Sequence, residues 1–545
     1  MNKVASYLQE HVLGEVLASP DVRKYFSTDG SVFEVTPSLV VYPKNTQDVR
    51  KVTRFSWQLA EKGHLLPITA RGRGSDQGGA AIGQGIVLVF PAHMNRLLEL
   101  DVKQQMARIQ PGIIFRTFQE AVQSHGLFLP PYPSSIDYAT VGGAIANNTA
   151  GEKTVKYGDM RRYVQSVEVV LANGEVIQTE RISKKELQRR KGITSFEGEI
   201  YRQLDGLIID NWDLISQYAN ARDVTKNSAG YALSQVKLKD GSFDLTPLLV
   251  GSQGTLGIIT EAIVGLTPHN PRTTLFKISL PDLEDATGIV AQLLQLGPSA
   301  LEVVDRNLLE FLGRVSPTRL KGLVEQPYPA LILLAEFDDT KDSAQVKKAK
   351  KAEKLLRQLG VEYIGTQNEE EQERLWTIRH SAAAVLWHNE GAAKALPIIE
   401  DGIVPRDRFP EFVRKTYELF EKYGLQAAVW GHAGDANLHM QPFLDLGKMS
   451  DRQKVFKLME EYYDMVLALG GSTSGEHNDG RLRAPFLPKV YGQQMYEIFA
   501  QVKKIFDPYN TLNPGVKVGV TLKDVAPLLR HDYTLEHIAD HLPRT

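Results

Sequence analysis

Two short glycine-flanked segments contain the residue types that bind metals and move protons. His432 and His439 stand seven residues apart within Gly431–Met440, and Glu476 and His477 follow further along the chain. Two imidazoles and a carboxylate form a common ligand set for a divalent metal that keeps one position open for substrate. The histidine next to the carboxylate is a candidate base. Because the chain has only 13 histidines, we interpret this cluster as functional.

Side-chain alternation predicts how the two histidines meet. Residues 426–432 and 437–443 are predicted to be extended on either side of a turn at Gly434. Alternate side chains of a strand share a face, so His432 and His439 can converge across that turn. Each histidine alone would more often be a hydrogen-bonded structural residue, but the whole set favours a metal site.

Length and composition restrict the class of protein. A chain of 545 residues is expected to form two or three domains, and 42% hydrophobic with 23% charged residues is typical of a globular protein. The net charge of −2 does not predict a nucleic-acid partner. The absence of cysteine excludes disulfides, thiolate metal sites and Fe–S ligation by this chain.

The sequence also bears on localisation. The first ten residues lack the apolar core of a signal peptide, and no run of about 18 apolar residues predicts a transmembrane helix. We therefore expect a cytoplasmic protein. Peripheral contact with the inner membrane and a homodimer both remain open.

The first half of the chain is predicted to mix strands and helices. Residues 1–35 are predicted to be a helical lead-in, and 46–62 a helix with Thr46 as its N-cap. Residues 167–179 are predicted to form a hairpin around Asn173-Gly174. This region is expected to end near Pro268.

In the next region the predicted strands and helices follow the order of two β-α-β units. This order predicts a ferredoxin-like α+β sheet with helices on one face. Lysines crowd its second helix, where a solvated face is a more common explanation than a nucleic-acid patch. The predicted strands are 275–280, 300–304, 330–337 and 361–364, and the predicted helices are 283–296 and 343–359.

A glycine-rich segment, Arg71–Gly79, follows a predicted strand at 65–69. Glycines let backbone N–H groups converge on phosphate oxygens. The segment is not a Rossmann fingerprint, because Gln77 occupies the third glycine position, and it lacks the Gly-Lys-Ser/Thr of a Walker loop. Alone, it fits a surface turn as well as a phosphate cradle.

Two further segments favour the cradle. Thr140–Gly151 is dense in small residues, which suits packing against a large planar ligand, although a buried helix start would have the same composition. Gly251–Thr260 combines a glycine turn with an apolar strand. In this order the three segments resemble the FAD-binding domain of the vanillyl-alcohol-oxidase/PCMH flavoprotein superfamily.

The histidine segments and the second region narrow the resemblance. Over residues 36–516 the chain resembles the FAD-linked D-2-hydroxyacid dehydrogenases, the group of D-lactate and D-2-hydroxyglutarate dehydrogenases and glycolate oxidase flavin subunits. The resemblance implies an α+β protein with a two-part PCMH-type FAD-binding domain, a ferredoxin-like substrate (cap) domain and a C-terminal helical segment. The implied divisions are a lead-in at 1–35, the FAD domain at 36–270, the substrate and metal domain at 271–516, and a tail at 517–545.

The same resemblance implies the residues of the flavin site. It assigns the first glycine segment to the FAD pyrophosphate, the second to the ribityl and isoalloxazine, and the third to backbone contacts. The first segment, Arg71–Gly79, has no histidine of the kind that links flavin covalently in the superfamily, so non-covalent FAD is implied. The implied residues are Arg71, Gly72, Arg73, Gly74, Ser75, Asp76, Gly78, Ser134, Thr140, Gly142, Gly143, Asn147, Gly151, Tyr157, Gly158, Gly257 and Ile258.

The resemblance implies a role for each member of the metal and substrate site. His432, His439 and Glu476 would bind a divalent metal, often zinc, and His477 would be the base. Arg379 and Lys394 would bind the substrate carboxylate, and Glu400-Asp401 would help to position the site. The implied reaction removes the hydroxyl proton and transfers the Cα hydrogen of a small D-2-hydroxyacid as hydride to flavin N5.

Some positions depart from the family pattern, and two alternatives stay open. Ala383 stands where some relatives have a threonine, Gln441 where some have asparagine, and Asn478 where glycine is common. The alternatives are an alkylglycerone-phosphate-synthase-like flavoenzyme and a flavin electron-transfer subunit of a larger oxidase. Because the chain has no cysteine, the expected electron acceptor is a separate partner: a quinone, a cytochrome, an electron-transfer flavoprotein or an Fe–S subunit.

Overall fold

A computed structural model describes residues 3–219, 222–382 and 391–539. Within these residues, a four-stranded sheet, a five-stranded sheet and a two-stranded pair organise the first half of the chain, and one seven-stranded sheet organises the second. The first-half strands are β1 Glu15–Leu17, β2 Leu39–Tyr42, β3 Ile68–Arg71, β4 Ile86–Val89, β5 Leu97–Asp101, β6 Met106–Ile109, β7 Leu127–Phe128, β8 Val164–Val170, β9 Val176–Gln178, β10 Ile258–Gly265 and β11 Thr267–Pro268.

The second-half strands contribute to one seven-stranded sheet, and helices cover these sheets. The strands are β12 Thr274–Leu280, β13 Ala300–Asp305, β14 Leu331–Phe337, β15 Glu362–Thr366, β16 Lys394–Ala395, β17 Ala427–His432 and β18 Asn437–Leu444. The helices are Lys3–His11, Pro20–Tyr25, Thr46–Glu61, Phe115–Gln123, Val141–Asn147, Thr154–Tyr157, Lys184–Lys191, Phe196–Asp210, Trp212–Ala219, Thr246–Leu249, Glu284–Leu294, Arg306–Val315, Pro317–Leu320, Asp342–Leu359, Glu369–His380, Phe409–Tyr423, Met449–Ala468, Leu487–Phe506, Leu522–Val525 and Glu536–Ala539.

The four-stranded sheet of the first half carries the first glycine segment. Its strands run in the order β1-β2-β4-β3, with β2, β3 and β4 parallel. Helix Thr46–Glu61 buries Val49 and Val52 against this sheet. The glycine segment begins at Arg71, the last residue of β3, and leads toward β4.

The predicted N-cap at Thr46 is wrong, because the Asn45 side chain accepts the Asp48 N–H at 3.0 Å and Thr46 is already helical.

The N-terminal lead-in is less helical than predicted. Helices occupy Lys3–His11 and Pro20–Tyr25, but β1 lies between them and pairs antiparallel with β2. Side-chain periodicity could not reveal β1, because a three-residue edge strand is too short to have one.

The second sheet has the order β5-β6-β10-β8-β9 and includes the predicted hairpin, formed by β8 and β9. Its core also contains helix Leu487–Phe506, which packs against helix Phe196–Asp210. That late helix was predicted to lie within the 271–516 domain. The chain thus returns to the first half after it has built the second sheet.

The seven-stranded sheet confirms the ferredoxin-like prediction. Its strands run β15-β12-β14-β13-β17-β18-β16, and the first four reproduce the order 4-1-3-2 of two β-α-β units. Helices Glu284–Leu294 and Asp342–Leu359 are the connecting helices, and Lys347, Lys350 and Lys351 of the second are exposed as predicted. The hairpin β17–β18 extends this sheet and carries both histidines of the predicted metal site.

Within the described ranges no helix is long and apolar enough to cross a membrane.

Candidate metal and flavin site

The β17–β18 hairpin brings His432 and His439 together. In its register Trp430 faces His439 and His432 faces Asn437, so both imidazoles lie on one face, as alternation predicts. A short 3₁₀ turn connects the strands, and Ala436 ends it with left-handed φ of 54°. The two ring centroids are 5.2 Å apart and the rings are almost perpendicular.

Glu476 completes a three-ligand group. Its Oε1 lies 2.9 Å from His432 Nε2 and 3.1 Å from His439 Nε2. One donor atom from each residue lies within 4.8 Å of the others, and all three residues are buried. Two nitrogen ligands and one carboxylate at this spacing fit a divalent cation such as Zn²⁺. A metal here would be held by two strand residues and one loop residue.

Carboxylates on the far side of each ring fix its orientation. His432 Nδ1 donates to Glu302 Oε1 at 2.8 Å, and His439 Nδ1 lies 3.2 Å from Glu400 Oε2. Such partners hold the other ring nitrogen toward a metal and increase its basicity. Glu302 comes from β13, which pairs directly with β17, so sheet formation itself places it beside His432.

His477 shares the carboxylate of Glu400. Its Nδ1 lies 2.7 Å from Glu400 Oε2, and its ring stacks on His439 with centroids 4.8 Å apart. Asp401 accepts the backbone N–H groups of Glu476 and His477, which fixes this loop. Burial disfavours the imidazolium, but the charges of Glu400 and Asp401 outweigh it and raise the pKa of His477 to about 9.

Lys226 and Arg483 were not identified from the sequence. Lys226 is buried and donates to Glu476 Oε2 at 2.9 Å, while Arg483 donates to Glu400 Oε1 at 2.7 Å. Burial raises the pKa of Glu476, but Lys226 and His432 hold that pKa well below its usual range. Lys226 stands 250 positions before Glu476, so no local spacing could connect the two.

We expect Glu302→Gln to weaken metal binding without removing it. Glutamine keeps the shape of Glu302 but gives His432 Nδ1 a neutral acceptor, so the imidazole becomes a weaker ligand. Loss of such an outer partner typically lowers metal affinity by about 10–100-fold. Competition for Zn²⁺ with a chromophoric chelator would measure the change. Glu310→Gln, an exposed carboxylate on the following helix, is the matched control and should leave the affinity unchanged.

One cavity connects the glycine segments to His439, Glu476 and His477. The first glycine segment lines it with Gly72 to Gln77, and the second with Thr140, Gly143 and Asn147. Trp430, His439, Gln441, Glu476 and His477 line the same cavity. Gln441 Oε1 is buried and has no hydrogen-bond partner among the described residues, so it is available to a ligand.

Side-chain amides tie the walls of this cavity together. Asn147 Nδ2 donates to Asp76 Oδ1 at 3.0 Å, and Gln253 Nε2 donates to Asn147 Oδ1 at 2.9 Å. Gln253 Oε1 in turn accepts the Gly480 N–H at 2.8 Å. All three glycine segments and the Glu476 loop therefore form one hydrogen-bonded unit. Gly72 has no room for a side chain, since a Cβ there would lie 2.4 Å from Thr140 Oγ1.

The structure brings about half of the predicted flavin residues to the cavity. Among the rest, Arg71 donates to Thr28 O and Ala81 O, and Tyr157 OH donates to Asp338. The lining predicted residues are Gly72, Arg73, Gly74, Ser75, Asp76, Ser134, Thr140, Gly143 and Asn147. Those outside the lining are Arg71, Gly78, Gly142, Gly151, Tyr157, Gly158, Gly257 and Ile258.

In the third glycine segment, the residues that line the cavity precede Gly257 and Ile258, the two residues predicted to contact the flavin. Gln253 and Gly254 are in the lining, whereas Gly257 packs against Val169 and Ile258 enters β10 and its core. The turn lies at 251–254, where Gly251 and Gly254 have positive φ, and the strand then leads away from the cavity.

The two predicted substrate cations differ in position. Arg379 is buried in the cavity wall and donates its Nε to Glu302 Oε2 at 2.8 Å. Lys394 lies on β16, opposite Leu444 of β18, and does not line the cavity. Ala383 lies outside the described residues. Asn478 adopts the left-handed conformation expected of it, with φ of 65°, and its amide donates to Asn147 O and Gly251 O.

Two known protein families match separate parts of this chain. Residues 37–180 match the family described as "FAD binding domain", and residues 270–516 match "FAD linked oxidases, C-terminal domain". The glycolate oxidase subunit GlcD of Bacillus subtilis is 31% identical over 493 residues, which are 89% of this chain and 89% of that protein. The D-lactate dehydrogenase of Archaeoglobus fulgidus is 29% identical over 90% of this chain and 95% of that protein.

Other relatives are longer. The D-2-hydroxyglutarate dehydrogenase of Escherichia coli is 28% identical over 94% of this chain, but the match covers 51% of that protein. The chain thus spans about half the length of such relatives.

Solved structures agree on the fold. p-Cresol methylhydroxylase has a TM-score of 0.69 at 18% identity over 96% of this chain and 97% of its own. Alkyldihydroxyacetonephosphate synthase has a TM-score of 0.63 at 15% identity over 94% and 86%. These likenesses show the PCMH-type fold and leave the reaction open. The family domains and the identity to GlcD go further: the chain belongs to the FAD-linked oxidases, an FAD-dependent oxidoreductase family whose members include D-lactate and D-2-hydroxyglutarate dehydrogenases.

Proposed function

We propose that the protein is an FAD- and metal-dependent D-2-hydroxyacid dehydrogenase that oxidises a small substrate such as D-lactate to its 2-oxoacid. The observation that carries this proposal is the single cavity that joins the glycine segments to His439, Glu476 and His477. The names of the relatives support the substrate class. The ligand geometry supports a hydroxyl and a carboxylate oxygen as the groups that the site would receive.

Each residue of the candidate site has a proposed task. His432, His439 and Glu476 would hold the metal, and the glycine segments would hold the FAD. When bound, the metal lowers the pKa of a chelated hydroxyl and disfavours the charged form of the nearby base, and FAD supplies the hydride acceptor. His477 accepts the hydroxyl proton at Nε2, because its Nδ1 is engaged by Glu400.

Arg379 is the proposed anchor for the substrate carboxylate. Its Nε is held by Glu302, which leaves the two terminal nitrogens of the guanidinium to form a bidentate pair. Glu302 thus orients both Arg379 and His432, and it couples the carboxylate anchor to a metal ligand. Lys394 remains a predicted second anchor.

The electrons must then leave the flavin. The chain has no cysteine and so supplies no Fe–S ligands. We propose a separate acceptor, which is a quinone, a cytochrome, an electron-transfer flavoprotein or an Fe–S protein.

A turnover assay with an artificial dye as acceptor tests this function. The purified protein, loaded with FAD and Zn²⁺, would be offered D- and L-2-hydroxyacids that differ in side chain, and the 2-oxoacid would be quantified. We expect oxoacid from at least one D-acid and at least about tenfold less from its L-enantiomer, since the enantiomer cannot present both metal ligands and the Cα hydrogen correctly. Formation of no 2-oxoacid from any acid would contradict the proposal.

A further inference from the structure

Residues 529–539 form a segment, here called the strap, that lies across the first glycine segment. Leu535 and Ile538 of the strap line the same cavity as Gly72 to Gln77, and both are buried. The strap lies beyond residue 516, where the match to the family domains ends. Neither the sequence motifs nor the family domains assign it to the flavin site.

Hydrogen bonds attach the far end of the strap to the glycine segment. Arg73 donates to the carbonyl oxygen of Ile538 at 2.5 Å, and His537 Nε2 donates to Gly74 O at 3.2 Å. Tyr25, from helix Pro20–Tyr25, donates its hydroxyl to His537 O at 2.8 Å. Burial and the charge of Arg71 lower the pKa of His537 to about 3, so the imidazole donates this hydrogen bond in its neutral form.

The near end of the strap is anchored more deeply. Arg530 donates to the carbonyl oxygens of Asp29 and Ser31, and its backbone N–H donates to Val32 O at 3.0 Å. Tyr533 OH donates to Gly30 O at 2.9 Å. Gly30 is itself a lining residue whose N–H donates to Gly74 O, so the anchor and the glycine segment are connected.

We propose that the strap is a further part of the flavin site, in addition to the three glycine segments. Its role would be to retain FAD that is bound without a covalent link. This inference rests on the FAD of the proposed function. FAD held against residues 72–77 would share the cavity with the apolar side chains of Leu535 and Ile538. Release therefore requires that these side chains leave the cavity and that the bonds to Gly74 and Arg73 break. The anchor at Arg530 and Tyr533 lets the far end open while the near end stays attached.

Ile538→Asp tests the strap. A carboxylate at this position replaces a buried apolar contact by a group that favours water, so the far end of the strap should lie open. We expect the FAD release rate to increase by on the order of tenfold or more, because changes at an interface act mainly on dissociation. The measurement follows the flavin that stays with the FAD-loaded protein after rapid desalting. Glu536→Gln, an exposed residue on the same turn, is the control and should match the unaltered protein.

Leu535→Ala is the second variant, since it shortens the side chain and adds no charge. It should give a smaller increase in the same direction, while the Zn²⁺ content stays at the level of the unaltered protein. If FAD release is equally slow in the unaltered protein and in all three variants, the proposed role of the strap is wrong, while the proposed function stands. If the unaltered protein binds no FAD, both are wrong.

Discussion

His477→Gln is expected to slow flavin reduction by a D-2-hydroxyacid by about 10²–10⁴-fold, the usual contribution of a positioned general base. Glutamine can still donate to Glu400, as His477 Nδ1 does at 2.7 Å, so the loop should keep its place. It cannot accept the hydroxyl proton. The variant should therefore bind FAD and Zn²⁺ normally and fail at the chemical step.

Rapid mixing without oxygen would measure this rate from the loss of flavin absorbance. His64→Gln, which alters an exposed histidine outside the cavity lining, is the control and should reduce at the normal rate. A normal reduction rate in His477→Gln would remove this residue from the mechanism. A variant that has lost its metal would show that His477 holds the ligand group together.

The second large effect is expected at Glu476. Glu476→Gln exchanges an anionic ligand for a neutral amide, and it leaves the buried ammonium of Lys226 without its counter-charge. The loss of metal affinity should exceed the roughly 10–100-fold that is typical of an outer partner such as Glu302. We expect a protein that purifies almost free of metal and whose flavin no hydroxyacid reduces.

Elemental analysis of the purified variant gives the metal content, and the flavin spectrum shows that the FAD site has survived. Glu460→Gln, an exposed change on helix Met449–Ala468, is the matched control. A chelator that removes Zn²⁺ from the unaltered protein should have the same effect as Glu476→Gln, and restored Zn²⁺ should reverse it. Retention of stoichiometric metal by Glu476→Gln would contradict the assigned ligand set.

Local patterns predicted the parts of this molecule whose partners are close in sequence. Alternation across one turn was enough to bring His432 and His439 to a common face. The two β-α-β units were predicted within a few residues, because each repeats the same strand and helix periods. The left-handed turn at Asn478 followed from the tolerance of asparagine for positive φ.

Contacts between distant segments could not be predicted in this way. Glu302 reaches His432 only because β13 pairs with β17, and Lys226 reaches Glu476 from the other half of the molecule. The sequence could not tell that Gly254 rather than Gly257 lines the cavity, because periodicity does not say where a glycine turn ends. The strap depends on the fold as a whole, since Arg530 bonds to residues about 500 positions earlier.

One measurement tests the central claim most directly: the FAD- and Zn²⁺-loaded protein is mixed with D-lactate or L-lactate in the absence of oxygen and of any other acceptor. The account predicts that D-lactate bleaches the flavin and yields about one pyruvate per flavin, as hydride transfer requires. L-Lactate should leave the flavin oxidised, and so should D-lactate after Zn²⁺ has been removed. Bleaching by D-lactate that is independent of the metal, or equal bleaching by both enantiomers, would contradict it.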